Sequence, residues 1–143
     1  MPKLDPNESL GFHCNLTLKS FISALQEQLK GTGVSPTQHR ALAHLISLGP
    51  LSQSELVDYL AITPASGVRL IDRMERDGWV IRKPDYSDGR KKRIYPTPKA
   101  FSTWEEISVA GREVLEQAYK NIQSSDIEIV KLILGKVRKN LEP

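Results

Sequence analysis

Three Ser/Thr-Pro steps divide this chain into helices before hydropathy is considered: Ser35-Pro36, Thr63-Pro64 and Thr97-Pro98. A Ser or Thr hydroxyl caps the free amides at a helix start, and a proline in the first turn gives up no hydrogen bond there. These steps predict helices from Ser35 through Leu48, from Thr63 to Gly78 and from Thr97 to about Gln123. Ser52-Gln53-Ser54-Glu55 and Ser125-Asp126-Ile127-Glu128 each fit a capping box, in which a Ser and a Glu three residues later cap one another. They predict a short helix over Leu56, Val57 and Leu60, and a last helix reaching about Asn140. Ahead of them, Leu18, Phe21, Ile22, Leu25 and Leu29 recur at helical spacing and predict a helix over 9–30 with one buried face. Gly31-Thr32-Gly33 stops it.

Between the fourth and fifth helices the pattern changes. Trp79-Val80-Ile81-Arg82 and Arg93-Ile94-Tyr95 have strand composition, and the polar, glycine-containing stretch between them suits a hairpin. The expected order is four helices, a two-stranded hairpin, then two helices: a mainly α fold with a small β-wing. At 143 residues the length favours one domain with a core sufficient for independent folding.

Several classes are disfavoured. No apolar run approaches the roughly 20 residues that span a bilayer, and Met1 through Glu8 lack the apolar segment of a secretory signal. The single cysteine, Cys14, forms no disulfide within the chain and fits a reducing, cytoplasmic setting. His13, His39 and His44 match no strong metal-ligand spacing, so neither metal nor cofactor is expected. With no nucleophile–base pair and no phosphate loop, no enzyme is expected either.

The charge is not evenly spread. Arg69 to Arg93 holds nine Lys/Arg and five Asp/Glu, a net of +4 against +3 for the whole chain, so the remainder sums to −1. Positive charge gathered into one short element is the footprint of a nucleic-acid surface. At about 100° per residue from Ala65, Arg76, Arg69, Arg73 and Ser66 fall at roughly 20°, 40°, 80° and 100°. Leu70, Met74 and Ile71 fall at roughly 140°, 180° and 240°, on the other face. An Arg/Ser stripe opposite an apolar face suits a DNA major groove, where Arg pairs with guanine and Ser meets base or phosphate. The alternative is a solvated helix whose Asp72, Glu75 and Asp77 neutralise the arginines. The Ser52–Leu60 helix, a tight Ala61-Ile62 turn and the Thr63 helix together favour DNA, because they form a helix-turn-helix.

Expected DNA contacts therefore run over Ser52, Thr63, Pro64, Ala65, Ser66, Arg69 and Arg73, with the amides and hydroxyl at Thr63 suited to a phosphate. Arg90, Lys91, Lys92 and Arg93 begin at the hairpin tip. There Arg90 suits a minor groove and the lysines suit flanking phosphates. Asp88 is expected to orient Arg90, or a helix arginine such as Arg73, through a charge-assisted hydrogen bond. Gly67 is unusual inside such a helix, and would permit close approach of backbone to DNA.

The segment from Arg69 through Arg82 and the wing Asp88-Gly89-Arg90 resemble the multiple-antibiotic-resistance regulator (MarR) family of bacterial transcription factors. The likeness spans nearly the whole chain in element order, and Asp88-Gly89-Arg90 matches the family's Asp-x-Arg wing signature. The segment after the wing departs from the family's usual Leu-Thr with a nearby glycine, reading Tyr95-Pro96-Thr97 with Ala100. The resemblance implies a single MarR-like domain over 1–143. In it, 9–33 and 98–143 would be dimerisation helices, and 35–97 a winged helix-turn-helix lobe reading one half-site of a pseudo-palindromic operator in double-stranded DNA. It implies a homodimer, and commonly a repressor released by a small aromatic ligand. Independently of family, the apolar first and last helices exceed what a small winged-helix core can cover, which also points to an identical partner.

A ligand pocket between the dimerisation helices and the DNA-binding lobe is implied by the family, with His13, His39 and Trp104 as its expected lining. Cys14 resembles in position the reactive cysteine of the family's peroxide-sensing branch, which makes thiol-based redox sensing an alternative. That branch activates its thiolate with tyrosines, however, where this chain has His39. A buried, inert cysteine is the commoner arrangement. A winged-helix module for protein interaction is the other alternative.

Overall fold

In a computed structural model, residues 3–143 are described. A short 3-10 turn, Pro6–Glu8, leads into six helices and three strands: α1 (Leu10–Gln28), α2 (Pro36–Leu48), β1 (Leu51–Ser52), α3 (Gln53–Leu60), α4 (Pro64–Arg76), β2 (Val80–Pro84), β3 (Lys92–Pro96), α5 (Pro98–Ala118) and α6 (Ser124–Leu141). The three Ser/Thr-Pro caps form as expected. Ser35, Thr63 and Thr97 accept from the amides of Gln38, Ser66 and Ala100, each with proline in the first turn. The Ser52–Glu55 box closes in both directions at 3.1 Å.

The core sits where α2, α3 and α4 meet the sheet. Leu42, Leu45, Leu56, Leu60, Ile71, Met74, Val80 and Ile94 are fully buried there. Ala61, in the left-handed region at φ 53°, makes the sharp corner between α3 and α4, and Gly78 at φ 82° releases the chain from α4 into β2.

Four expectations need correction. The sheet has three strands in the order β1-β3-β2, all antiparallel, because Leu51 and Ser52 pair with Ile94 and Arg93. Helix α5 ends at Ala118, about a turn early, where Asn121 adopts a left-handed φ of 61° and the Ile122 amide donates back to the Tyr119 carbonyl. That turn makes Gln123 the cap of α6, so Ser125 lies inside the first turn and the second capping box does not form. The buried face of α1 is only partial. Leu29 is buried and Phe21 and Leu25 are partly covered, whereas Leu18 and Ile22 are exposed, since within one chain α1 lies chiefly along α5.

The C-terminal helix buries none of its residues. Ile129, Val130, Leu132 and Ile133 are each about half exposed or more, and Leu132 reaches 62%. An apolar groove of about 560 Å³ lies between α1, α5 and α6, lined by Phe21, Ala24, Val114, Ile127, Val130 and Leu134 among others. No helix is long and apolar enough to cross a membrane among the described residues.

Candidate nucleic-acid interface

Helix α4 buries Gly67, Leu70, Ile71 and Met74 and turns Ala65, Val68, Arg69, Asp72, Arg73 and Arg76 to solvent. The division into two faces is the one its periodicity predicts. Val68, at 42% exposure, is an apolar member of the outward face that a search for charge passes over. The helix start is less open than expected. The Thr63 hydroxyl accepts from the Ser66 amide at 3.2 Å and donates to the Ser66 hydroxyl at 2.9 Å. The Gly67 amide is held by the Thr63 carbonyl, and Pro64 has no N–H. The Ser52 hydroxyl is likewise engaged in capping α3. Thr63, Pro64, Ala65 and Ser66 thus form one corner, in which the Ala65 amide has no bond within the chain among the described residues.

Gly67 has a packing reason rather than a DNA one. A Cβ there would come within 2.3 Å of Val57 Cγ2, so the missing side chain lets α4 cross close over α3.

Of the three outward arginines of α4, Arg69 and Arg73 are not neutralised as they would be in a simple solvated helix. Asp72 Oδ1 accepts from Arg82 Nη2 at 2.7 Å, and Glu75 Oε1 accepts from Arg82 Nη1 at 3.0 Å. Asp77 pairs with Arg76 at 3.1 Å. Among the described residues no ion pair holds Arg69 or Arg73. Sequence periodicity within α4 gives no sign of Arg82, because that residue reaches the helix from the strand beyond the turn.

The wing is built from two aspartates with different tasks. Asp85 accepts from the Ser87 amide and hydroxyl, both at 2.9 Å, and from Arg93 Nε at 2.7 Å. The Ser87 amide first, then Arg93, hold the Asp85 carboxyl well below the usual carboxylate range. Arg93 also donates to the Pro50 carbonyl at 3.1 Å. It therefore braces the wing against β1, and only three of the four consecutive cations point outward. Asp88 orients Arg90 differently from the expectation. Its carboxylate takes the Arg90 backbone amide at 3.0 Å, while the guanidinium stands 3.7 Å away and 96% exposed. No bond runs from Asp88 to Arg73. Arg90 and Lys91 are exposed, as is Lys92 at the start of β3.

A second feature lies behind this surface. A cavity of about 450 Å³ between α1, α2 and α5 is lined by Phe21, Leu25, His39, Trp104, Gly111 and Arg112 among others. The His39 and Trp104 rings lie 5.2 Å apart. His39 is buried and its Nε2 has no partner. Burial pushes its pKa down, with a smaller opposing effect from the Ile107 backbone. Gly111 gives that ring its room, since a Cβ there would meet His39 Cε1 at 2.9 Å. His13 is not in this lining. It stands exposed at the start of α1, Nε2 3.0 Å from the Asn7 carbonyl. Cys14 is exposed too, contrary to the buried cysteine expected. Among the described residues no group of three or more His, Cys, Asp or Glu side chains gathers as a metal site would require.

A MarR family profile matches residues 32–91, the span from the loop after α1 to the loop between β2 and β3. The uncharacterized HTH-type transcriptional regulator YwoH of Bacillus subtilis is 30% identical over 122 residues, covering 85% of this chain and 88% of its own. Among solved structures, a mutant of Escherichia coli MarR complexed with operator DNA superposes with a TM-score of 0.78 at 22% identity, over 90% of this chain and 92% of that one. Bordetella bronchiseptica BpsR, whose DNA binding is regulated by 6-hydroxynicotinic acid, superposes with a TM-score of 0.82 at 18% identity, over 96% and 98%. With a corner of two capped helices, a braced basic wing and a relative matched over nearly its full length, the chain belongs to the MarR family of winged helix-turn-helix, DNA-binding transcriptional regulators.

Proposed function

We propose that the chain works as a cytoplasmic homodimeric repressor that reads a pseudo-palindromic operator and leaves it when a small aromatic acid binds. The observation that carries the DNA part is the pair Arg69 and Arg73, exposed on α4 with no acid holding them. Arg90, Lys91 and Lys92 on the neighbouring wing supply phosphate and minor-groove contacts. Ser52, Thr63, Pro64, Ala65 and Ser66 fix the corner from which α4 enters the major groove. Residues 35–97 form the reading lobe, and 9–33 with 98–143 form the dimerisation part. The unburied apolar face of α6 and the open groove beside α1 and α5 support that division. Apolar surface on that scale is uncommon on a monomer.

The effector reading rests on the cavity between α1, α2 and α5. Trp104 and Phe21 offer aromatic walls, the orphaned His39 Nε2 offers one hydrogen bond, and Arg112 offers a positive charge to a carboxylate. Regulation of BpsR by 6-hydroxynicotinic acid is the behaviour of a structural neighbour in the same class. A binding selection from random duplexes tests the DNA reading, with a two-half-site palindromic consensus as the expected result. A selection that enriches nothing would favour a protein-interaction module instead. Aromatic acids screened against the bound complex then test the effector, with loss of the response in His39→Ala expected.

A further inference from the structure

We propose that Arg82 is a positioning residue for DNA binding: by drawing Asp72 and Glu75 onto the root of the wing, it leaves Arg69 and Arg73 of α4 free. The inference rests on the DNA-binding reading above and goes beyond it, because Arg82 itself meets no DNA in this scheme. Helix α4 carries Arg69, Arg73 and Arg76 against Asp72 and Glu75. Asp72 lies three residues after Arg69 and four before Arg76, the two spacings at which side chains on a helix face one another. Left to itself, that carboxylate would pair with either arginine. DNA would then have to break the pair and bring its phosphates beside a negative charge.

The fold removes that competition from outside the helix. Arg82 lies in β2, and its planar fork meets one carboxylate with each terminal nitrogen, at 2.7 and 3.0 Å. Its own backbone amide adds the cluster's third bond, to Glu75 Oε2 at 3.2 Å. The Arg82 side chain is 21% exposed, against 60% and 42% for the two acids it holds. A lysine would present a single charged nitrogen and could not reproduce a two-carboxylate fork. Arg82 is thus the most covered member of the cluster, and Arg69 and Arg73 are left unpaired.

The test compares four full-length proteins on one duplex, the consensus that the wild-type chain enriches from a random pool. They are the wild type, Arg82→Gln, Asp72→Asn/Glu75→Gln, and the triple variant combining all three changes. Two uncompensated carboxylates beside the reading arginines should weaken Arg82→Gln about tenfold. The triple variant should return to within about threefold of wild type, because it has no acid left to restrain. Asp72→Asn/Glu75→Gln should bind at least as tightly as wild type. A purely structural clamp would leave the triple variant as weak as Arg82→Gln, and that result overturns the inference. Unchanged affinity in Arg82→Gln overturns it as well. Should Arg82→Gln fail to fold by circular dichroism, the acid-only variant decides, and weaker binding by it counts against the inference. A wild-type chain that enriches no consensus refutes the DNA reading itself, which is a different failure.

Discussion

Gly67→Ala is the substitution for which this fold gives the sharpest expectation. In a solvated helix it would stabilise by about 1 kcal/mol, because alanine is the better helix former. Here the new Cβ would sit 2.3 Å from Val57 Cγ2, about 1.2 Å inside the shortest comfortable carbon–carbon contact of about 3.5 Å. Val57 is β-branched, buried and set in a short helix, so its side chain has few rotamers to escape into. Overpacking of this kind costs about 1–3 kcal/mol, and so close an approach belongs in the upper part of that range. The net expectation is a loss of about 1–2 kcal/mol. For a chain of this length that lowers the melting temperature by roughly 2–8 °C. The assay is a thermal and urea double-mutant cycle with Val57→Ala, which removes the clashing methyl and leaves a void the new Cβ can fill. The double variant should be more stable than the sum of the singles by at least about 1 kcal/mol. Additive singles, or a Gly67→Ala protein more stable than wild type, would show that the α3–α4 crossing does not depend on this glycine.

Further expectations concern recognition, the wing and assembly. Arg69→Ala should relax base preference at one position of the consensus, whereas Lys91→Ala should weaken every sequence alike and lower the slope of log affinity against log salt by about 0.9; equal losses on all sequences for both would remove the division of labour. Asp85 is held below its unfolded value of about 3.9, so its contribution to the wing is complete above that pH and is lost as pH falls through the depressed folded value. The Ser87 amide resonance should accordingly hold its position down to about pH 4, and Asp85→Asn should shift it at neutral pH; a wild-type transition at or above pH 4 contradicts the bracing. Leu132→Glu places a charge on the exposed face of α6 and should convert the proposed dimer to monomer in sedimentation. A wild-type protein that is already a stable monomer at micromolar concentration would remove the dimer.

What the sequence discloses is set by the range of each interaction. Ser35, Ser52, Thr63 and Thr97 cap amides three residues ahead of them, so helix starts can be read from tetrapeptides. The two faces of α4 follow from 3.6-residue periodicity and are equally local. The Ser125 box fails for a reason outside its own four residues, the left-handed turn at Asn121 that starts the helix early. Strand β1 is two residues long and exists only because β3, more than forty residues later, offers it an edge. No composition rule finds so short a strand.

The functional surface is harder to read than the fold, because its charges are assigned by tertiary neighbours. Composition gives Arg69–Arg93 a net charge of +4, but it cannot say which cations are free. Arg93 is drawn inward by Asp85 and Pro50, and Arg82 by Asp72 and Glu75, across separations of 7 to 43 residues. Arg69, Arg73, Lys91 and Lys92 face outward with no acid paired to them among the described residues, and Arg90 faces outward 3.7 Å from Asp88. Arg82 ties the root of the wing to α4, and Arg93 ties Asp85 of the wing to the Pro50 carbonyl beside β1. The basic stretch is therefore two populations of cation. One builds the frame, and by holding the acids it determines how much positive charge the other can offer to DNA.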